Sequence, residues 1–216
     1  MEGGAVPVTA PAARTKRSPT RTNMLVSAAE VLRERGAAGV TIDEILSRSG
    51  APRGSVYYHF PQGRNQILTE ALRHAGDTIT AHIDAAADQG GTVLMDSFVT
   101  FWERLLIDSD YNAGCPVVAA AIGSADDEPR LTEEAGRIFR HWRDALTRAF
   151  TSDGFEPTDA AALAVMCIAA LEGAVVLCRS TRSVGPLHDV ADQIEFLVKA
   201  KEFVHRHGLP RISSGR

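Results

Sequence analysis

The feature that most constrains the fold is the spacing of the apolar residues, which recur with the period of an α-helix along nearly the whole chain. Leu25, Ala28, Ala29 and Leu32 illustrate the pattern, because they lie three or four positions apart and share one helix face. Clusters of proline, glycine, aspartate and serine separate the periodic runs. No segment shows the strict alternation of a half-buried strand. The spacing therefore predicts an all-α protein.

The runs and the residues between them predict nine helices. We expect them at about 20–35, from Thr41 to a turn at Gly50, at 52–60, from Gly63 to 87, and at 92–108, 116–122, 129–151, 158–181 and 186–207. Residues 1–18 are rich in alanine, proline, glycine and threonine and lack periodic apolar residues, so they are expected to be a disordered basic tail.

The charge is distributed unevenly along the chain. Residues 1–73 contain 10 basic and 6 acidic side chains, whereas the remainder contains 13 basic and 21 acidic ones. A basic front end on a chain with a net charge of −4 suits nucleic acid, although a solvated surface gives the same count.

Several classes of protein are disfavoured by composition. The cysteines, Cys115, Cys167 and Cys178, have neither the number nor the spacing of a disulfide framework or zinc site, which favours a reducing cytoplasm. No secretion signal is recognisable. The most apolar stretch, 160–178, is interrupted by Glu172, so we expect no membrane span. We also expect no metal and no cofactor.

The segment 41–64 predicts a helix-turn-helix. Thr41 and Glu44 form a capping box in which each side chain can accept from a free backbone amide, and Gly50 supplies a tight turn. Pro52 suits the first position of the next helix, on which Val56 and Phe60 point inward. Two short helices with a third packed across them place the second one in the major groove of DNA.

The remaining side chains of that second helix suit DNA. Arg53 can donate two hydrogen bonds to a guanine, Gly54 and Ser55 are small enough for close approach, and the residues that follow can meet phosphates. Tyr58 has the alternative of a core position. The predicted DNA-binding residues are Arg21, Thr41, Arg53, Gly54, Ser55, Tyr57, Tyr58, His59 and Arg64.

These residues resemble a known family. Thr41-Ile42-Asp43-Glu44-Ile45, Gly50 and Gly54-Ser55-Val56-Tyr57-Tyr58-His59-Phe60 are similar to the TetR family of repressors. Phe60-Pro61-Gln62-Gly63-Arg64, Gly114-Cys115-Pro116-Val117, Glu172-Gly173-Ala174, Arg179 and Gly185-Pro186-Leu187 resemble its LmrA/YxaF-like branch. The resemblance implies a three-helix DNA-binding domain (19–65) followed by a larger helical ligand-binding and dimerisation domain (66–216).

Two positions depart from the family pattern. Pro52 stands where most members have a serine or threonine that caps the helix and contacts a phosphate. Gly63 stands where most have a lysine, and Arg64 comes one residue later. The phosphate contact of Arg64 is therefore inferred across a shift of one residue.

The resemblance implies a homodimer formed through the eighth and ninth helices. Independently, the eighth helix is apolar on almost every side, which indicates burial on more than one face. A purely intramolecular core helix is the alternative. The resemblance also implies that such a dimer represses transcription at a palindromic DNA operator and is released by a small molecule.

Aromatic residues concentrate in the fifth and seventh helices. This composition is typical of a ligand pocket but also of an ordinary core. We expect a pocket for a small apolar or aromatic effector between helices five, seven and eight, with His141 and Glu172 as polar contacts unless they form surface or structural pairs. The predicted ligand-binding residues are Phe98, Phe101, Trp102, Cys115, His141, Trp142, Met166 and Glu172.

Two other functions are compatible with parts of the sequence. Cys115 and His141 could form a nucleophile and its base, but no residue in the pattern orients them, so we do not expect an enzyme. A DNA-binding activator or architectural regulator without a small-molecule ligand is the stronger alternative.

Overall fold

The computed structural model describes residues 19–123 and 129–207, and within these ranges every regular element is a helix. The helices are α1 (Pro19–Gly39), α2 (Ile42–Ser49), α3 (Ser55–His59), α4 (Arg64–Ala87), α5 (Gly91–Asp108), α6 (Pro116–Ile122), α7 (Pro129–Ser152), α8 (Pro157–Thr181) and α9 (Gly185–His207). The predicted all-α fold is confirmed. The predicted tail, 1–18, lies outside the described residues.

The first helix is kinked at Gly36, where φ is 72°. A side chain is strained at this dihedral angle, so glycine allows the straight part of α1 to end here while a further helical turn continues to Gly39. The predicted stripe on α1 faces inward, and all four of its residues are buried.

Only one of the two hydrogen bonds of the predicted capping box forms at the start of α2. The backbone amide of Glu44 donates to Thr41 Oγ1 over 3.2 Å, as the sequence predicts. The reciprocal bond of the capping box is replaced, because Glu44 Oε1 accepts from Arg48 Nε at 2.8 Å. Arg48 also donates to both carboxylate oxygens of Glu34, at 3.0 and 2.7 Å, and so ties α2 to α1. These hydrogen bonds lower the pKa of Glu34.

The third helix is shorter than predicted. It begins at Ser55, and Pro52 is not its first residue, because the carbonyl of Pro52 closes a preceding turn by accepting from the Ser55 amide (2.9 Å) and hydroxyl (2.6 Å). Val56 and Phe60 are fully buried, as predicted. Burial of a side chain the size of Phe60 contributes about 1.5–3 kcal/mol, which anchors so short a helix.

The fourth helix belongs to both halves of the fold, because it packs on α1 and, further along, on α5 and α7. Behind it, Trp102, Trp142 and Phe150 lie fully buried in the core of the body, and α8 packs between α7 and α9.

By length and composition α8 could cross a membrane, since an 18-residue window reaches a mean hydropathy of 2.3. Length and composition alone are weak evidence for a membrane span, because the apolar core helix of a folded body passes the same test, so the expectation of no membrane span stays a prediction. In the fold α8 packs against α7 and α9 as a core helix of the body.

Candidate DNA-binding surface and effector cavity

The helix α3 presents an aromatic face to solvent. Tyr57 is 65% exposed and Tyr58 81% exposed, on the side opposite the buried Val56 and Phe60. The alternative of a core position for Tyr58 is therefore wrong. The half-buried His59 ring lies edge-on to Tyr58, with 4.8 Å between centroids. Both phenol hydroxyls are in reach of an external partner.

The absence of a side chain at Gly54 is not required by the fold. Its φ of −66° suits any residue, and a Cβ built there would meet no protein atom within 4 Å. Gly50, in contrast, has a φ of 65° and ends α2 in a left-handed conformation. The fold therefore does not require a glycine at position 54.

The remaining polar side chains of this surface make only weak interactions within the protein. Arg53 Nη2 lies 3.0 Å from Asp43 Oδ1, and both side chains are exposed, so the pair contributes little and can exchange for another partner. Thr41 is exposed beside it, at the start of α2. These residues, the half-buried Ser55 and the two tyrosines form what we call the α3 surface.

Two predicted phosphate ligands are instead engaged within the protein. Arg64 Nε donates to the carbonyl of Val40 at 2.6 Å, and Nη2 donates to that of Ala37 at 2.7 Å. Helices leave their last carbonyls without partners, so Arg64 satisfies those that follow the kink of α1. Arg21 stacks on the Phe60 ring at 4.8 Å and pairs with Glu70. Both arginines thus join α1 to its neighbours, and their predicted contacts with DNA stay predictions.

A small apolar cavity lies among α4, α5, α7 and α8. Its volume is about 10 Å³, which is room for about one water molecule. A second void, also of about 10 Å³, lies alongside, and the Phe98 ring lines both. The first cavity is lined by Ile83, Leu94, Met95, Phe98, Trp142, Leu146, Ile168, Leu171 and Glu172. Both spaces are far smaller than a ligand pocket, so a ligand here would have to displace the Phe98 ring and its neighbours.

The predicted ligand-binding residues lie at different places around this cavity. Phe98, Trp142 and Glu172 line it, and Phe101 lines the second void. Trp102 is buried behind Phe98 and Phe101, with ring centroids at 6.0 and 5.4 Å. Met166 is half-buried against the core without lining either space. The aliphatic lining residues were missed, because an inward leucine or isoleucine carries no signal that separates pocket from core.

His141 lies outside the cavity, which corrects its predicted position as a polar contact there. Its side chain is exposed, and Nε2 lies 3.1 Å from Asp84 Oδ2 on the outer side of α4 and α7. It sits one residue before Trp142, and on a helix that step turns the side chain away from the cavity. Cys115, in contrast, is buried beside Glu172, so the alternative of a Cys115–His141 nucleophile pair has no contact to support it.

Glu172 is the polar group of the cavity. It is 7% exposed, and neither carboxyl oxygen has a hydrogen-bond partner. Burial raises the pKa of Glu172 to about 7. Burial and the neighbouring Glu172 carboxyl raise the pKa of the Cys115 thiol well above its usual value, so this thiol is neutral. Among the described residues no group of three or more His, Cys, Asp or Glu side chains could hold a metal ion.

Comparison with known proteins identifies the family that shares this architecture. Residues 24–71 match the family described as bacterial regulatory proteins, tetR family, and residues 93–193 match the C-terminal domain of LmrA/YxaF-like transcriptional regulators. A helix-turn-helix-type transcriptional regulator of Mycobacterium tuberculosis is 39% identical over 186 residues, which are 84% of this chain and 95% of that protein. The chain belongs to the TetR family.

Other TetR-family proteins agree in sequence and fold. The YxaF regulator of Bacillus subtilis is 25% identical over 189 residues, 87% of this chain and 99% of its own length. The crystal structure of a TetR regulator from Chloroflexus aurantiacus superposes with a TM-score of 0.68 at 24% identity, covering 87% of this chain and 94% of that one. This chain is thus a transcriptional regulator, and regulators of this family bind DNA operators and form homodimers.

In this TetR-family protein the DNA-binding helices and the body are joined by what we call the clasp. Arg179 of α8 donates from Nη2 to the carbonyls of Glu34 (3.1 Å) and Asn112 (2.8 Å), and the Gly114 amide donates to the carbonyl of Arg33 (3.0 Å). A Cβ at Gly114 would lie 2.6 Å from Arg179 Nη1. The clasp therefore connects the helix that carries Glu172 directly to the end of α1.

Several exposed residues of α8 and α9 in this TetR-family protein are apolar. Val176 is 54% exposed and Phe196 69% exposed, and a Cβ at Gly173 would meet no atom within 4 Å. What we call the outer face consists of Val165, Gly173, Val176, Leu177, Phe196 and Phe203. Exposed apolar residues on two helices that pack together are typical of an interaction surface.

Proposed function

We propose that this protein is a cytoplasmic, ligand-responsive transcriptional repressor. It binds a palindromic operator as a homodimer and is released by a small apolar or aromatic effector. The observation that carries the proposal is the α3 surface, where Tyr57 and Tyr58 are exposed on a helix whose other side is fully buried. Aromatic hydroxyls and a lightly held arginine at such a helix are suited to the major groove.

On DNA, Arg53 exchanges Asp43 for a guanine edge, with two donors meeting O6 and N7. Hydrogen bonds to phosphates position α3 on the duplex. Their donors are the side chains of Thr41, Ser55, Tyr57, Tyr58 and His59. Gly54 allows the backbone of α3 to come close to the duplex. Arg21 and Arg64 act indirectly, because they hold α1 and α4 in place around this helix.

The outer face supplies the dimer contact. Two copies joined there by two-fold symmetry carry their α3 helices to successive major grooves, about 34–36 Å apart or a multiple of that distance. The operator then has matching half-sites.

We attribute release from the operator to helices that line the cavity and also contact α1. An effector larger than the present cavity must move Phe98 or Ile83, and Ile83 belongs to α4, which also packs on α1. Glu172 is connected to α1 through α8 and the clasp. The effector shifts the equilibrium only if it binds the DNA-incompetent arrangement better, and operator DNA must then weaken effector binding by the same factor.

The test is selection of bound sequences from random duplex DNA by the full-length protein. We expect a two-fold symmetric consensus and an affinity that falls steeply with salt. Arg53→Ala should weaken operator binding by about 1–3 kcal/mol and relax one base pair in each half-site. Arg143→Ala, which removes an exposed arginine paired with Asp144 on α7, is the matched control. An asymmetric single half-site, or an unchanged consensus for Arg53→Ala, would refute the proposal.

The effector part has its own variant. Phe98→Trp fills the space between the two voids without touching the α3 surface, so it should preserve operator affinity and abolish release. Loss of operator binding in this variant would show instead that the cavity is only a core.

A further inference from the structure

Among the described residues the Glu172 carboxyl group has no charged partner, and only the Cys115 thiol, a weak donor, faces it. It is at least nine-tenths buried, both oxygens are without a hydrogen bond, and among the described residues no basic side chain pairs with it. An unpaired carboxyl group in an apolar setting is costly, and such groups are usually satisfied in native proteins. This carboxyl group lines the cavity, where an incoming molecule would meet it.

The surroundings of Glu172 select against most ligands. The other walls of the cavity are apolar, with Ile83 from α4, Phe98 from α5, Trp142 from α7 and Leu171 from α8. An anionic ligand would be repelled by the carboxylate, and a neutral hydrocarbon would leave it unpaired. A ligand that carries a positively charged donor would satisfy it, and a charge-assisted hydrogen bond in such a site is strong.

The approach to the cavity has the same electrostatic character. A groove of about 280 Å³ runs between α5 and α9, and Met95 lines both this groove and the cavity. Four carboxylates line the groove against a single histidine, His188, which lies 3.5 Å from Glu103, and Glu195 is paired with Lys199 beside the groove. The four are Asp96, Glu103, Asp192 and Glu195. A cleft lined by one sign of charge concentrates ligands of the opposite sign.

We propose that the effector is a lipophilic organic cation: an apolar or aromatic body with one protonated amine, which reaches the cavity past Met95 and is anchored by the carboxylate of Glu172. This rests on the proposed function only in that the cavity is taken as the effector site.

The protonation of Glu172 gives the site a distinct signature. Because the pKa of Glu172 is raised to about 7, the carboxyl group is partly protonated in the free protein at neutral pH. Binding of a protonated amine favours the carboxylate, so a proton is released and affinity rises between pH 6 and pH 8. The titratable group that faces Glu172 is Cys115, at the start of α6, and it stays neutral in this range. The cavity walls from α4, α5 and α7 are apolar.

Three probes of one shape test the charge preference: 4-phenylbutylamine, 4-phenylbutanol and 4-phenylbutanoate. Calorimetric titration of the full-length protein, without DNA, should give at least tenfold tighter binding for the amine than for the alcohol, and the weakest binding for the acid. Glu172→Gln should remove the preference for the amine and its pH dependence while keeping the affinity for the alcohol. Glu133→Gln, an exposed carboxylate on α7, should leave both unchanged.

Equal binding of amine and alcohol, a preference that survives Glu172→Gln, or no binding of the amine would each overturn the proposal. A separate addition of the amine to the protein–operator complex tests release. If the amine binds with the expected preference but does not dissociate the complex, the cation site stands and the proposed ligand-responsive function fails.

Discussion

At the scale of single residues, a substitution at Gly54 should have opposite effects on stability and on DNA binding. Its backbone is right-handed helical and nothing in the protein occupies the space of a Cβ. Gly54→Ala should therefore raise the free energy of unfolding by about 0.4–1 kcal/mol, since alanine restricts the unfolded chain. The same methyl group should lower operator affinity at least tenfold, because it blocks close approach of α3. Urea denaturation and fluorescence anisotropy measure the two effects.

Gly136 offers the control for this substitution. It lies in the middle of α7, and a Cβ there would come no closer than 3.4 Å, to the mobile end of Arg140. Gly136→Ala should raise stability by a similar amount and leave operator affinity unchanged. If Gly54→Ala behaves in the same way as Gly136→Ala on DNA, α3 does not approach the duplex through Gly54.

Glu172 should make stability depend on pH. Burial raises its pKa from the ordinary value of 4.5 to about 7, so between these values the folded protein holds a proton that the unfolded chain has lost. The free energy of unfolding therefore falls as pH rises through this window, by up to about 3 kcal/mol. Glu172→Gln removes this dependence, so it should become the more stable protein above pH 7 while the two are closer at pH 5.

The measurement is the difference in unfolding free energy between the native protein and Glu172→Gln, from urea titrations at pH 5, 6, 7 and 8. Other groups titrate in both proteins, and their contributions cancel in the difference. Parallel curves would mean that the Glu172 carboxyl group is solvated or paired in solution.

At the scale of helices, the clasp should be a structural tie of measurable strength. Arg179 is the shared donor to two backbone carbonyls that belong to different elements. Arg179→Ala should cost about 1–3 kcal/mol of stability, because it leaves both carbonyls without their charged donor. Hydrogen exchange at the Gly114 amide, which bonds to the end of α1, should accelerate as the junction loosens.

Arg182, three residues further on, provides the matched comparison. It pairs with Asp110 at 2.6 Å, but both side chains are exposed. Arg182→Ala should therefore change stability by less than about 1 kcal/mol and leave the exchange of Gly114 unchanged. Equal effects of the two substitutions would count against a special role for the clasp.

At the scale of the whole molecule, assembly and DNA binding should be lost together. Val176 lies on the outer face, and a charge placed there in a two-fold interface would face its symmetry mate. Val176→Glu should convert the dimer into a monomer by sedimentation equilibrium and weaken operator binding at least a hundredfold, since one half-site alone remains.

Ile107 tests whether any exposed charge has this effect. It is 53% exposed on α5, close to the 54% of Val176. Ile107→Glu should stay dimeric and bind the operator normally. A dimer that survives Val176→Glu and dissociates with Ile107→Glu would move the interface to another face.

Much of the fold was predictable because helix formation and its punctuation are local. The order of the helices found in residues 19–123 and 129–207, the cap at Thr41, the turn at Gly50 and the inward pair Val56 and Phe60 all follow from neighbouring residues in the chain. The prediction was wrong where a local turn competed with a helix, since Pro52 closes a turn instead of opening α3.

The sequence alone determined the helices and the face that each one buries, because the period of the backbone sets both. The tertiary structure decided which partner each long polar side chain would meet. Arg64 reaches the carbonyls behind the kink of α1, His141 turns outward to Asp84, and Glu172 is enclosed without a partner. These outcomes depend on distances between helices that are far apart in the chain, and no periodic pattern of single residues encodes such distances.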